Sequence, residues 1–332
     1  MTQLSHISDF LMQNDNFIAV IHDNPDGDCL GSAIGLCIAL KQIGKTACIV
    51  CPSEIPKRLK FLNSGGDTDI YIGLSGLETA KSSGNDCIIS IDLASDSLLG
   101  SVHSELCGKI KLAIDHHMIN TLTADKKFVD SSAAATGQII YRLIKTLEEK
   151  THKALLTKNC ADALYTAVSS DSGCFKYSNV TPETHRIAAF LIEAGASHAD
   201  INYRLFDVKT KMQIDVEKLA YEYLTMYEND KIALIYIPQD KLDEIGAKHE
   251  DTECLSQLAR TIEGVQIGIY MYNKSQNEYK LSVRSNNNSD ISSLCALFEG
   301  GGHKKAAGCT ITDTSPMHAQ SIFIDAAKDF LD

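Results

Sequence analysis

Positive charge is what this sequence most lacks. Its 332 residues carry 31 Lys and Arg against 43 Asp and Glu, a formal net charge of −12. Non-specific binding to long nucleic acid rests on a positive surface, so that class is excluded, and a polyanionic substrate has to be small and locally neutralised. No apolar run approaches the roughly eighteen residues that cross a bilayer, and the opening segment MTQLSHISDFLMQNDN has no basic stretch leading into an apolar one. The expectation is a soluble, cytoplasmic protein with no membrane partner. Proline is scarce, at 6, while 44% of residues are hydrophobic, a globular composition that is neither fibrous nor disordered. Cysteine is not scarce, at 11, but its positions are scattered through apolar segments such as GLCIAL, ACIVC and NDCII. That scatter, read as holding no C-x-x-C pair, points to buried, reduced thiols of a reducing compartment, with no disulfide framework, structural zinc site or redox motif.

The length suggests two domains. In the first half, strand-like runs (FIAVIH, TACIV, NDCIISID, KIKLAIDHH) alternate with helical patterns, among them CLGSAIGLCIALKQIG, amphipathic with small residues on its packing face, and TGQIIYRLIKTLEEK. Such alternation predicts an α/β domain built on a parallel sheet with helices on both faces. Helical patterns continue through KNCADALYTAVSS and TPETHRIAAFLIEAG, the latter with Thr181 as cap and Pro182 in its first turn. This domain is placed at residues 1–196. A charged stretch with few breakers, 197–229, predicts a helical linker. Residues 230–332 then read as a second, smaller α/β domain. It has a strand KIALIYIP, a helix around CLSQLARTIEG, a hairpin of VQIGIYMYN and YKLSVRSN, a helix ISSLCALF, the glycine cluster GGGHKKAAG, a short strand CTIT and a last helix from Pro316.

The chemistry collects where apolar elements stop. FIAVIH ends at His22, with Asp26 and Asp28 in the turn that follows; CIISID ends at Asp92; KLAIDHH ends at Asp115, His116 and His117; and TAVSSDSGCF puts Asp171 at the end of a helical run. A helix amino terminus favours one acid as a cap, which would account for Asp28 but not also for His22 and Asp26. Turns at the carboxyl edge of a parallel sheet are where ligands bind in open α/β folds. Carboxylates and imidazoles without thiolates suit a hard to borderline divalent ion, Mn²⁺ better than Mg²⁺. The donors are too many for one ion, and a pair of ions sharing a carboxylate is the arrangement that activates water for phosphoryl transfer. In the second half, the three glycines of GGGH let a backbone approach an anion, and Arg284 at a strand end suits a bidentate phosphate contact. A flexible turn and a solvated arginine are the plain alternatives. Phe175 reads as a core residue, with base stacking as its alternative.

In order along the chain, HDNPDGD, Asp92, DHH at 115–117 and SSDSGCF around Asp171 resemble the four motifs of the DHH phosphoesterases. VRS at 283–285 and GGGHKKAAG at 300–308 resemble the DHHA-type C-terminal substrate domain of the same superfamily. The resemblance covers nearly the whole chain and is closest to the NrnA-type branch of nano-RNases and 3′-phosphoadenosine 5′-phosphate (pAp) phosphatases. It implies two Mn²⁺ ions, with Mg²⁺ possible: His22 and Asp26 on one, Asp28, His116 and Asp171 on the other, Asp92 bridging, and a water between the ions as nucleophile. Asp115 is implied to orient an imidazole and His117 to face the scissile phosphate, so that Asp92, Asp115 and His117 form the catalytic set. Substrate binding falls to His117, Arg284, Ser285, Gly301, Gly302 and His303. The implied activity is hydrolysis of RNAs of two to four nucleotides, linear dinucleotides included, to mononucleotides, and of pAp to AMP, by a homodimer that does not take long nucleic acid. The alternatives are a cyclic dinucleotide phosphodiesterase acting on c-di-AMP, an inorganic polyphosphatase or pyrophosphatase, and a nucleotide-binding regulatory protein that has lost catalysis. The last should have lost a metal ligand, and all six positions are filled.

Overall fold

The structure, a computed structural model, describes residues 3–252, 254–286 and 289–332; the side chains of Gln3 and His303 lie outside it. The chain divides into two compact units, Met1–Val208 and Lys209–Asp332, the division falling inside the segment read as a linker.

The first unit runs α1 (Gln3–Gln13), β1 (Phe17–Val20), α2 (Gly27–Gln42), β2 (Ala47–Cys51), β3 (Asp69–Ile72), α3 (Gly73–Ser82), β4 (Cys87–Ile91), α4 (His103–Leu106), β5 (Leu112–Asp115), β6 (Lys127–Val129), α5 (Thr136–Thr151), α6 (Lys158–Asp171), α7 (Pro182–Glu193) and α8 (His198–Asn202), closed by a π turn over Tyr203–Asp207. Its six strands are all parallel, in the order β3-β2-β1-β4-β5-β6. Side chains alternate across the sheet, as the two-residue period of a strand requires. Phe17, Ala19, Ile49, Ile89, Ile91 and Ile114 pack with Leu30, Ile34, Ile139 and Leu164 of α2, α5 and α6. Ile18, Val20, Val50, Ile88 and Ala113 pack on the other face with Leu77, Ala80 and Leu106 of α3 and α4. Helices on both faces are what the alternating pattern required.

Three details differ from expectation. The helix α2 is not amphipathic: every residue from Gly27 to Leu40 is buried, because the sheet, α5 and α6 enclose it. Cys48 and Cys51 in β2 do form a C-x-x-C spacing, yet strand alternation sends their side chains to opposite faces of the sheet, Cys48 to one apolar cluster and Cys51 to the other. All eleven thiols are free. Strands β3 and β6 carried no clear signal, being short and only partly buried.

The second unit runs α9 (Lys211–Glu222), β7 (Leu224–Tyr227), β8 (Ile232–Tyr236), α10 (Gln239–Ile245), α11 (His249–Thr252), α12 (Leu255–Arg260), β9 (Ile267–Ser275), β10 (Glu278–Ser285), α13 (Ile291–Ala296), β11 (Gly301–His303), β12 (Ala306–Ile311) and α14 (Pro316–Ala327). Its sheet is mixed, ordered β11-β12-β10-β9-β8-β7, with β8 and β9 the parallel pair. The hairpin of β9 and β10 forms as read. Two segments depart from the reading. LTMY at the end of the supposed helical linker is strand β7, paired with β8, and the glycine cluster folds into a hairpin in which Gly301–His303 pairs with a strand that already starts at Ala306. Glycine and alanine have little strand preference of their own, so pairing to β10 supplies what local sequence does not. Among the described residues no helix is long and apolar enough to cross a membrane.

Candidate active site

The strand order turns back between β1 and β4, the place where open α/β sheets leave a crevice at their carboxyl edge. His22 follows β1, Asp92 follows β4, and Asp115 ends β5 with His116 and His117 behind it. Asp171 arrives from elsewhere, and close helix packing brings it. A Cβ on Gly31 would lie 2.3 Å from the Ala163 carbonyl oxygen, one on Gly27 2.6 Å from Ser170 Oγ, and one on Gly35 2.7 Å from Leu164. Three glycines spaced by four therefore let α2 lie antiparallel against α6 at near backbone contact. The carboxyl end of α6, with Asp171, meets the amino end of α2, with Asp26 and Asp28. A helix carboxyl terminus carries partial negative charge and favours a cation beside it.

The side chains converge closely. His22 Nε2 is 3.7 Å from Asp26 Oδ1 and 4.0 Å from Asp92 Oδ2. His116 Nε2 is 3.2 Å from Asp171 Oδ2 and 3.7 Å from both Asp28 Oδ2 and Asp92 Oδ1. His117 Nδ1 is 3.7 Å from Asp92 Oδ1. Among the described residues Asp92 alone lies within 4.0 Å of all three imidazoles. Among the described residues, three groups have donor atoms close enough to share an ion: Asp28, His116 and Asp171; Asp92, His116 and His117; and His22, Asp26 and Cys29. The last includes a residue the motifs did not suggest. Burial and the charge of Asp26 push the Cys29 thiol well up, and its Sγ donates to the Asp26 carbonyl, which leaves it a poor ligand.

A set of hydrogen bonds around these donors fixes their orientation. His22 Nδ1 donates to the Asp23 carbonyl at 2.8 Å and His116 Nδ1 to that of Ala133 at 3.3 Å. A carbonyl only accepts, so in both rings Nε2 is left as the ligating atom. Asp115 is buried; its Oδ1 accepts from the His116 amide and His117 Nδ1, and its Oδ2 from Asn120 Nδ2. Asp92 sits at φ 58°, a left-handed conformation uncommon outside glycine, and Oδ1 accepts from Thr136 Oγ1 at 2.8 Å. Asp28 is not the cap of its own helix. Asp26 fills that place, accepting from the amides of Asp28 and Cys29, while Asp28 accepts from Ser32 Oγ and from the Thr136 and Gly137 amides, so that it caps α5. Thr136, Asn120 and Ser32 were not singled out in the sequence. Ser32 alone had a local signal, lying one helical turn beyond Asp28.

The electrostatics are those of a site short of positive charge. Burial, then Asp92 and Asp171, push Asp28 well above the carboxylate range; burial and Asp26 push Asp92 up to about 6. Burial works against protonating the imidazoles, yet Asp26 and Asp92 raise His22 to about 9, and Asp171, Asp28 and Asp92 raise His116 to about 11. Cations held among these groups would relieve the repulsion between the acids. Oxygen and imidazole donors, mutually repelling acids and preset Nε2 atoms together fit divalent metal binding.

In the second unit, strand alternation puts Lys280, Ser282 and Arg284 on one face of β10 and Leu281, Val283 and Ser285 on the other. Arg284 stands between two small residues, Ala306 and Gly268. Ser285, read with Arg284 as a substrate contact, instead points inward and donates to the Ser289 carbonyl. Gly301 and Gly302 form β11, the Gly302 carbonyl accepting from Ser292 Oγ. The His303 side chain lies outside the described residues.

The comparisons agree with this architecture. Residues 16–168 match the DHH family, N-terminal domain, and residues 229–332 match the DHHA1 domain. The bifunctional oligoribonuclease and PAP phosphatase NrnA of Thermus thermophilus is 28% identical over 311 residues, covering 93% of this chain and 88% of that protein. In fold, the chain is similar to an exopolyphosphatase-related protein from Bacteroides fragilis, with a TM-score of 0.88, 21% identity and coverage of 99% and 98% of the two chains. It is also similar to RecJ of Thermus thermophilus, solved in complex with Mn²⁺, with a TM-score of 0.51, 14% identity and coverage of 98% of this chain and 54% of that one. A DHH domain followed by a DHHA1 domain, with acids and imidazoles gathered at the sheet edge, makes this chain a DHH-family phosphoesterase, a hydrolase of phosphate-ester bonds.

Proposed function

We propose that the chain hydrolyses short oligoribonucleotides to mononucleotides and pAp to AMP, with two divalent cations, Mn²⁺ in preference to Mg²⁺. The observation that carries this is Asp92, a buried carboxylate within 4.0 Å of imidazoles from both sides of the switch point, and the name of the Thermus relative supplies the substrate class. His22 and Asp26 would hold one cation, Asp28, His116 and Asp171 the other, and Asp92 both. Bound there, the pair would supply Lewis-acid activation of a water and neutralise phosphate charge. His117, its Nδ1–H committed to Asp115, would act through Nε2. The hydrogen bond to Asp115 raises its pKa, which favours the protonated ring that would donate to the leaving oxygen. Asp115, held down to about 2 against burial by His117 and Asn120, stays ionised and keeps that ring in place.

Arg284, with the amides of Gly301 and Gly302, would bind a terminal phosphate. Arg284→Ala is expected to raise KM for 5′-phosphorylated dinucleotides about 10-fold or more, the scale of a lost charge-assisted pair, with little change toward a diester lacking that phosphate. Equal loss on both substrates contradicts the assignment. The activity itself is tested by a product time course with Mn²⁺ on pAp, 5′-phosphorylated RNAs of two to about ten nucleotides, c-di-AMP and tripolyphosphate. Disappearance of pAp and the shortest RNAs first supports the reading; c-di-AMP or tripolyphosphate going first replaces it.

Metal binding should strengthen with pH. His22 and His116 hold protons near neutrality when no cation is bound, at about 9 and about 11, and ligation expels them. Each proton released makes binding about tenfold tighter per pH unit. The Mn²⁺-induced rise in Tm is therefore expected to be larger at pH 8 than at pH 6, and a flat or falling dependence contradicts imidazole ligation.

A further inference from the structure

We propose that Tyr177 is the platform on which a nucleobase of the substrate stacks, an inference that rests on the short-RNA reading. The chain leaves α6 at Asp171 and at once turns through three successive left-handed residues, Gly173, Cys174 and Phe175, with φ of 56°, 57° and 62°. Two of them are not glycine, so the surroundings must hold the turn against its own strain. They do: the Cys174 amide donates to the Ser169 carbonyl at 2.8 Å, the Phe175 amide to Ser172 Oγ at 3.0 Å, and the Tyr177 amide to the Ser172 carbonyl at 3.1 Å. Beyond Tyr177, Asn179 Nδ2 donates to the carbonyls of both Asp171 and Ala134. The loop is pinned on either side of the tyrosine.

This turn lays the Tyr177 ring on Gly173. A Cβ at that glycine would sit 2.3–2.6 Å from Cζ, Cε1 and Cε2, so a side chain there would displace the ring, which has one face against backbone two residues from Asp171. Tyr177 is nevertheless 38% exposed. Phe175, read as core with stacking as its alternative, is directed inward, stacked on His185 at 5.4 Å and 6.0 Å from Tyr165. The partly exposed Tyr177 ring is thus held in one orientation on the turn that follows Asp171, so stacking costs little further ordering. Every base has a π face, and a platform of this kind accepts any of the four. It would also supply affinity that a chain of net charge −12 does not draw from a positive surface.

The test compares wild type, Tyr177→Phe and Tyr177→Leu on a diribonucleotide and on its analogue with the bases removed. Tyr177→Leu should raise KM for the diribonucleotide about tenfold with kcat within about twofold, Tyr177→Phe should match wild type, and the abasic analogue should not distinguish the three. Quenching of a 2-aminopurine dinucleotide gives a readout without turnover: present in wild type and Tyr177→Phe, lost in Tyr177→Leu. Equal loss on normal and abasic substrates, or quenching retained in Tyr177→Leu, overturns the platform. Wild-type enzyme that leaves nucleotides intact defeats the substrate reading instead, and the quenching result still decides the role of Tyr177.

Discussion

Asp92→Asn is expected to lower kcat/KM toward a short RNA by about 10³-fold or more, the scale of losing a preorganised charge-stabilising group, without harming the fold. Asparagine keeps the shape, can still accept from Thr136 Oγ1 at its 2.8 Å position, and tolerates the left-handed backbone at φ 58° better than most residues. What it removes is the one carboxylate among the described residues within reach of His22, His116 and His117 together. The stability effect should run the other way. Burial and Asp26 raise Asp92 to about 6. A carboxyl raised above its unfolded value of 3.8 costs stability as pH rises from about 4 through about 6, and the cost persists above that. Without added metal, Asp92→Asn should therefore melt at or above the wild-type temperature at pH 7.5, while the Mn²⁺-induced rise largely disappears. Steady-state kinetics and melting curves with and without Mn²⁺ check both halves. Near-normal turnover would remove Asp92 from its central role.

Gly31→Ala should be a damaging small change outside the acids and imidazoles. The added methyl would stand 2.3 Å from the Ala163 carbonyl oxygen and 3.2 Å from Ala167 Cβ, and a backbone carbonyl cannot rotate away as a side chain does. Either α2 and α6 separate or the region strains, at about 1–3 kcal/mol. For a unit of this size that is roughly 2–4 °C of Tm per kcal/mol. Separation also moves Asp28 on α2 from Asp171 on α6, both of which now lie within 3.7 Å of His116 Nε2, so activity should fall with stability. A melting temperature and activity matching wild type would show that the helices do not depend on this contact.

Much of the catalytic unit was legible because its chemistry sits at the ends of strongly patterned elements. β1, β4 and β5 are short apolar runs closed by acids or imidazoles, and the carboxyl edge of a parallel sheet gathers such ends whatever lies between them. Asp171 was legible only as the end of a helix; its approach to Asp28 depends on the Gly27, Gly31 and Gly35 ladder, whose spacing hinted at packing but not at a partner. The groups that orient the site were not legible. Thr136 and Gly137 reach Asp28 from more than a hundred residues away, and Asn120 reaches Asp115 from a loop with no pattern of its own. In the second unit, β11 and β12 are strands through pairing and not through propensity, and the inward turn of Ser285 follows from strand register once β10 is placed. Phe175 was legible as a core residue and is directed inward; the left-handed turn that leaves Tyr177 at the surface is invisible in composition.

The pair of cations is the claim on which the rest depends, and metal stoichiometry tests it most directly. Protein stripped with chelator and titrated with Mn²⁺ at pH 8 should bind two equivalents per chain, and Asp92→Asn no more than one at the same concentration. A wild-type chain that takes up one equivalent or none, or an Asp92→Asn chain that still binds two with unchanged affinity, would contradict a site built around a shared Asp92.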